Sequence, residues 1–428
     1  QEQLMQIAMT VGGCTGDDAD LLRRAMGSKR GIEKIGRLRT TLYAGMASHG
    51  IVGELADDIY ARIQAFANFG FAESHSISFA LLVYASSWLK LHYPGAFLAG
   101  LLRAQPMGFY SSQSLVADAR RHGVEIRRPD IVASTADAGL ELLDPGPVEQ
   151  GAGPATGMPS CLERDQPPVG PWVRGAPDLT RTHRRDGRFA VRLGLTEVQG
   201  IGQAQAQRIV DARADGPYTS INDVVRRTGL TVAQSEALAT AGAFDSFGLS
   251  RRQALWNAGY ADSADTLPGT AVDAAPPELP GMSAAELTLA DLWATQISPD
   301  DHPIGHLRPV LDTHEIVAIS RLGADHDRTR VRVAGLVTHR QRPSTAGGVT
   351  FLNLDDETGM LNIVCSRPMW QRFVRVGRRT NAMLVRGTIE HNEGVTNLVA
   401  DKLEPLSGLF PAATAAAIPP SYRSRDFR

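Results

Sequence analysis

The sequence predicts a multidomain protein: an all-helical region, then a helix-hairpin-helix module, then a small all-β barrel of OB type. Three observations carry this. Apolar residues recur near helical spacing early in the chain, a Gly-Ile-Gly turn opens a second helical stretch, and residues 329–406 switch to alternating β-type patterning. With 428 residues, 43% hydrophobic and 21% charged, there is apolar surface for several cores. The balance of 44 Lys+Arg against 46 Asp+Glu excludes a bulk polycation. No stretch reaches the roughly 18 uninterrupted apolar residues of a membrane span, and the start carries no signal-peptide pattern. A soluble, cytoplasmic protein with no membrane partner is expected. Cys14, Cys161 and Cys365 are odd in number and far apart, so neither a disulfide framework nor a CxxC zinc site is available. Gln1 is not an initiating residue, which suggests part of a longer protein.

Residues 1–140 supply the helical region. Leu4, Ile7, Ala8 and Val11, then Leu55, Ile59 and Ile63, then Leu81, Leu82 and Trp88 follow helical spacing. Gly12-Gly13, Gly27, Gly50, Gly70, Pro94 and Pro106 cut it into several short helices. Residues 141–187 alternate Pro with Gly and read as an insert or linker. Helical periodicity returns in the 188–260 module, and residues 261–324 read as a linker with a short helical bridge. Within 325–408, the segments VRVAGLV, TFLNLDD, MLNIVCS, NAMLVRGTI and TNLVADKL, with a helical piece before the fourth, have the element order of an OB barrel. Residues 409–428 read as an unfolded tail.

Four segments carry candidate chemistry. Between Asp20 and Arg39, the basic residues Arg23, Arg24, Lys29, Arg30, Lys34, Arg37 and Arg39 outnumber Asp20 and Glu33. Bidentate Arg contacts there suit a triphosphate, the alternative being a solvated basic face. Of the 44 basic residues only Lys29, Lys34, Lys90 and Lys402 are lysines, a skew that by itself proves nothing. Ser74-His75-Ser76 precedes an apolar run, where Ser76 would cap a helix whose free N–H groups attract phosphate. Phe69, Phe71 and Phe79 beside it suit a core better than a stacking platform. Gly200-Ile201-Gly202 permits a tight turn with Ile201 tucked inward, so that backbone N–H groups face a phosphate without reading bases. A purely structural hairpin is the alternative. The barrel offers Arg332, Arg340, Arg342, Phe351, Trp370 and Phe373 for single strands, or is purely structural. Asp17, Asp18 and Asp20 are tempting metal ligands, but acids before a cationic helix are expected as its N-terminal charge partners. No convincing metal site emerges.

In this order, QEQLMQIA (1–8), DLLRRAMGSKR (20–30), FANFGFAESHSISFALLVYASSWLKLHYP (66–94), VQGIGQAQAQRIVDAR (198–213) and AGAFDSFG (241–248) resemble the C-terminal half of a bacterial C-family, DnaE-type DNA polymerase α subunit. The resemblance implies a fingers domain over 1–140, the duplex-holding hairpin module over 188–260 and the OB domain over 325–408. It implies that Arg23, Arg24, Lys29, Ser74, His75 and Ser76 face the incoming nucleotide, and that Arg30, Gly200, Ile201, Gly202, Arg332 and Phe351 face DNA. Primer-template DNA and deoxynucleoside triphosphates follow as partners, with Mg²⁺ held by a palm domain absent from these residues. Ala290-Asp291-Leu292-Trp293 is a poor substitute for a clamp-binding peptide, and no further domain is expected after the barrel. Both features resemble the error-prone ImuC-type paralogue, which acts in translesion synthesis with partner proteins and reaches the sliding clamp through a partner. The rival expectation is a non-catalytic DNA-binding or scaffold protein. The whole reading turns on the cationic segment and Ser74-His75-Ser76 converging on one triphosphate.

Overall fold

The structure is a computed structural model that describes residues 2–25, 31–68, 73–108, 110–143, 183–260, 277–343, 346–392, 394–409 and 425–427. It divides into two units, residues 1–86 with 341–350, and residues 87–340 with 351–427.

The first unit carries α1 (Glu2–Thr10), α2 (Gly16–Ala25), α3 (Gly31–Arg37), α4 (Arg39–Ser48), α5 (Glu54–Asn68) and the start of α6 (Glu73–His92). Leu4, Ala8, Leu22, Ile35, Leu42, Met46, Tyr60 and Ile63 form its core, as their helical spacing requires. Of the expected breaks, Gly12-Gly13 follows α1, Gly50 lies between α4 and α5, and Pro94 opens the helix after α6, while Gly27 and Gly70 lie outside the described residues. Asp18 accepts hydrogen bonds from Thr15 N (2.9 Å) and Thr15 Oγ1 (2.7 Å) at the start of α2, the terminal role expected of these acids.

In the second unit, α7 (Pro94–Arg103) and α8 (Ser112–Arg121) lead into β1 (Ile126–Arg127), β2 (Gly139–Leu142) and β3 (Phe189–Arg192). Their order is β1-β3-β2, with β1 parallel and β2 antiparallel to β3. This small sheet was not expected in the segment read as helical to residue 140. Each strand is too short to show alternation, and pairing across the insert decides the matter. Residues 144–182 of the insert lie outside the described residues. Its far end belongs to the fold: Asp186 is fully buried and accepts from Gly95 N (2.7 Å) and Ala96 N (3.1 Å), capping α7 across 91 positions of sequence.

The hairpin module comprises α9 (Gln203–Asp211), α10 (Ile221–Thr228), α11 (Val232–Thr240) and α12 (Arg251–Gly259). Phe244, Leu238, Ile209, Val224 and Leu195 fill its core. Ser220, Thr231 and Ser250 cap three of the helices, the last two in full capping boxes. The bridge helix α13 (Ala284–Thr295) is pinned by Asp291, which accepts from Arg128 Nη2 (2.8 Å) and Arg251 Nη2 (2.6 Å). A short α14 (Arg308–Thr313) leads to the barrel.

The barrel is built from β4 (Arg330–Gln341), β5 (Thr350–Asp356), β6 (Gly359–Cys365), α15 (Arg367–Arg372), α16 (Val374–Arg379), β7 (Ala382–Asn392) and β8 (Val395–Pro405). The order β5-β6-β8-β7-β4, with β5 also pairing β4, closes it, and β6 runs parallel to β8. Alternate residues such as Val333, Leu352, Ile363, Val385 and Leu398 fill the interior. Within the tail expected to be unfolded, β9 (Arg425–Phe427) pairs alongside β4, where the strand's ladder still has unpaired groups to offer. Among the described residues no helix is long and apolar enough to cross a membrane.

Candidate nucleic-acid interface

The Gly-Ile-Gly turn adopts the conformation that its residues demand. Gly200 takes φ +81°, a left-handed value costly for residues with a side chain. Ile201 is 4% exposed and anchors the turn, while Gly202 is extended and caps α9. The first N–H groups of α9 therefore point away from the core beside two exposed glycines.

A second turn repeats this geometry. Gly229 ends α10 in the left-handed region (φ +64°), Leu230 is 4% exposed, and Thr231 caps α11. The two turns, Gln199-Gly200-Ile201-Gly202 and Thr228-Gly229-Leu230-Thr231, are cross-linked by equivalent glutamines, each three residues after its cap. Gln205 Nε2 donates to Thr228 O (3.0 Å) and Gln234 Nε2 donates to Gly200 O (3.1 Å). The two hairpins are thus tied to each other by a reciprocal pair of side-chain-to-backbone hydrogen bonds. Sequence reasoning missed the second turn. Its signal was present as Gly-apolar-cap followed by Gln at the same offset, but Thr in place of the second Gly hid it.

Glu197 lies in the 3₁₀ turn (Leu195–Glu197) that feeds the first hairpin. Burial, aided by the charge of Asp137, pushes its carboxyl up to about 7.

In the first unit, Arg23 and Arg24 emerge together from the last turn of α2, held by one acid. Arg23 Nε donates to Asp20 Oδ1 (2.9 Å), and Arg24 Nη2 lies 2.5 Å from Asp20 Oδ2. The Arg23 hydrogen bond, with the charges of both arginines, holds the Asp20 carboxyl below the usual carboxylate range. The arginine side chains remain 44% and 67% exposed, so their outer faces are open to an anion. Lys29 and Arg30 lie outside the described residues. Ser74, His75 and Ser76 sit in the first turn of α6, which begins at Glu73. Ser76 is therefore inside the helix and is not its cap, a correction to the sequence reading: the free N–H groups of that turn belong to residues 73–76 themselves. His75 packs edge-on against Phe79 (centroids 4.5 Å apart). Phe79 is 53% exposed, not core, and Ile77, Leu81, Leu82 and Tyr84 around the same helix are exposed too. Phe69 and Phe71 fall outside the described residues. The described contacts of Ser74 and His75 do not reach Arg23 or Arg24.

The barrel's expected aromatics divide. Trp370 (5% exposed) is core against Gly377, and Phe373 packs on that core, leaving partly buried Phe351 on the outer side of β5. Arg340 is buried and donates to Gly377 O (2.7 Å) and Thr380 O (2.6 Å), so it braces the helical piece. Arg332 stays on the outer face of β4. Asp291 and Leu292 are 2% and 3% exposed within α13, which excludes Ala290–Trp293 as an extended clamp-binding peptide in this fold.

The described residues thus form, in order, a helical region, a pair of linked helix hairpins and a closed five-stranded barrel. The family described as bacterial DNA polymerase III alpha subunit finger domain matches residues 1–50, helix-hairpin-helix motif matches 123–254, and OB-fold nucleic acid binding domain matches 331–406. Over the whole chain, relatives named error-prone DNA polymerase are 52% identical in Cutibacterium acnes, 50% in Nocardia farcinica and 46% in Mycobacterium tuberculosis H37Rv. The chain is thus similar over its whole length to these error-prone DNA polymerases and spans about a third of the length of these curated relatives, 37%, 34% and 34% respectively. An asparaginyl-tRNA synthetase from Pyrococcus horikoshii aligns over 22% of this chain and 23% of its own at 24% identity, with a TM-score of 0.20, too slight a likeness to bear on the fold.

Proposed function

We propose that this chain is the nucleotide-facing and DNA-holding part of an error-prone DNA polymerase acting in translesion synthesis. The observation that carries the DNA-holding role is the hairpin pair. Two left-handed glycines, two inward anchors and reciprocal glutamine bonds set two helix starts side by side, so each hairpin takes the backbone of one strand of primer-template duplex. Such contacts are blind to base identity, as a polymerase that must move along any template requires.

Arg23 and Arg24, aimed by Asp20, neutralise triphosphate charge, and the first turn of α6 with Ser74, His75 and Ser76 faces the same nucleotide. Among the described residues no group of three or more His, Cys, Asp or Glu is placed to hold a metal ion. The Mg²⁺ ions of nucleotidyl transfer, which stabilise attacking and leaving oxygens, belong in this reading to a palm outside these residues. Translesion partner proteins supply the route to the sliding clamp.

The test is binding and extension with the 428-residue chain. It should bind primer-template with affinity that falls steeply as salt rises, and should not extend the primer. Mg²⁺-dependent extension by this chain alone would refute the assignment of catalysis elsewhere, and salt-insensitive binding would refute the backbone contacts. In the full-length enzyme, Arg23→Ala with Arg24→Ala should raise nucleotide KM at unchanged DNA affinity.

A further inference from the structure

The helix pair α7–α8 carries more apolar surface than its own core covers. Leu98, Ala99 and Leu102 of α7 pack with Val116 and Ala119 of α8, whereas Phe97 and Leu101, one turn apart on the adjoining face of α7, stay half-buried. These two side chains line a cavity of about 420 Å³ within the second unit, together with Tyr110, Leu115 and Met360 of β6. Tyr110 packs edge-on against His339 of β4, ring centroids 6.3 Å apart, which ties the cavity's aromatic wall to the barrel. The volume falls in the range of about 300 to 1,000 Å³ usual for ligand pockets.

One end of the cavity is charged. Lys90 from the end of α6 and Arg121 from the end of α8 line it, against Asp118 as the one acid. Lys90 Nζ lies 2.8 Å from Asp118 Oδ2, and the two side chains remain 45% and 39% exposed. An ammonium has three donors and Asp118 takes one, so the ion pair orients Lys90 without consuming it. Arg121 Nη1 stands 4.0 Å from the buried Asp355, too far for a hydrogen bond. On the same turn of α6 as Lys90, Trp88 and Leu89 are exposed.

We propose that this cavity is a docking pocket for a short segment of a partner protein in which a large apolar side chain stands beside an Asp or Glu. The apolar side chain enters between Phe97, Leu101 and Met360, and the carboxylate meets Lys90 and Arg121 in charge-assisted contacts. A nucleic-acid backbone would match the cations but not the apolar wall. A metabolite that filled the cavity would leave Trp88 and Leu89 bare, whereas a peptide running out past Lys90 covers them. The choice of a partner protein rests on the reading above that translesion partners act with this polymerase.

The test is selection of a phage-displayed random dodecapeptide library on the 428-residue chain, with fluorescence polarisation of the enriched peptides. Enriched sequences should set a large apolar residue beside Asp or Glu. Lys90→Glu should weaken their binding by about tenfold, and Leu101→Trp, which fills the cavity, should abolish it. Lys90 is exposed, so its variant reports even where the filled one fails to fold. Enriched sequences without an acid, binding unchanged in Lys90→Glu, or no peptide retained by the parent chain would each overturn the proposal. So would anilinonaphthalene sulfonate bound in the cavity that no peptide displaces, the mark of a small-molecule site. Primer-template binding, measured alongside, should be the same in both variants. Its absence from the parent chain would sink the DNA-holding reading and leave the pocket standing, while peptide failure with intact primer-template binding strikes the pocket alone.

Discussion

Replacing Glu197 by Gln should make the hairpin module more stable at pH 8 and erase a pH dependence that the parent protein shows. The carboxyl is pushed up to about 7 from an ordinary 4.5, chiefly by burial and secondarily by Asp137. A group whose folded value is raised binds more protons folded than unfolded between those two values. Its stabilisation is therefore full below about 4.5 and is lost as pH climbs through about 7. At 1.36 kcal/mol per pH unit, the gap between the two values is worth about 3 kcal/mol as an upper bound. Gln keeps the shape and cannot ionise. Thermal unfolding of parent and E197Q chains at pH 5, 6, 7 and 8, followed by circular dichroism, measures it. The melting temperatures should lie closest at pH 5, diverge between pH 5 and pH 7 with E197Q higher, and keep that gap at pH 8. Parallel pH profiles, or a parent chain that gains stability relative to E197Q on going from pH 6 to pH 8, would refute the desolvation reasoning.

Two further outcomes follow from packing. Asp291→Ala leaves Arg251 (5% exposed side chain) and Arg128 without their shared acid, and should cost about 3 to 5 kcal/mol in denaturant unfolding; a loss below about 1 kcal/mol would show that water replaces the carboxylate. Gly229→Val forces a β-branched residue into the left-handed region and should cost on the order of 1 to 3 kcal/mol, with duplex affinity falling more than oligothymidylate affinity; equal losses on both DNAs would point to general unfolding of the module.

The three-module order was legible because each module has its own period. Leu4, Ala8, Leu22 and Leu42 follow helical spacing into one core, while Val333, Leu352, Ile363 and Val385 alternate into the barrel. The family's finger, hairpin and OB matches agree with that order. The first hairpin was legible too, since Gly-Ile-Gly leaves few conformations. Where the sequence reading went astray, the deciding contacts were long-range. Ser76 looked like a cap because it precedes an apolar run, yet α6 begins at Glu73. Arg340 looked like a groove cation, yet its donors are consumed by carbonyls 37 and 40 residues away.

The sequence by itself determined the helical, hairpin and barrel segments, the basic cluster at Arg23 and Arg24, and the Gly200 turn. These depend on periodicity and backbone preference, which are local properties written in neighbouring residues. Only tertiary structure decided that Gln205 and Gln234 pair the two hairpins, that Asp186 caps α7 across the insert, and that Phe97, Tyr110 and Met360 wall one cavity. Those arrangements arise from packing and from hydrogen bonds between residues far apart in sequence, and no local pattern encodes which distant partner a side chain will meet.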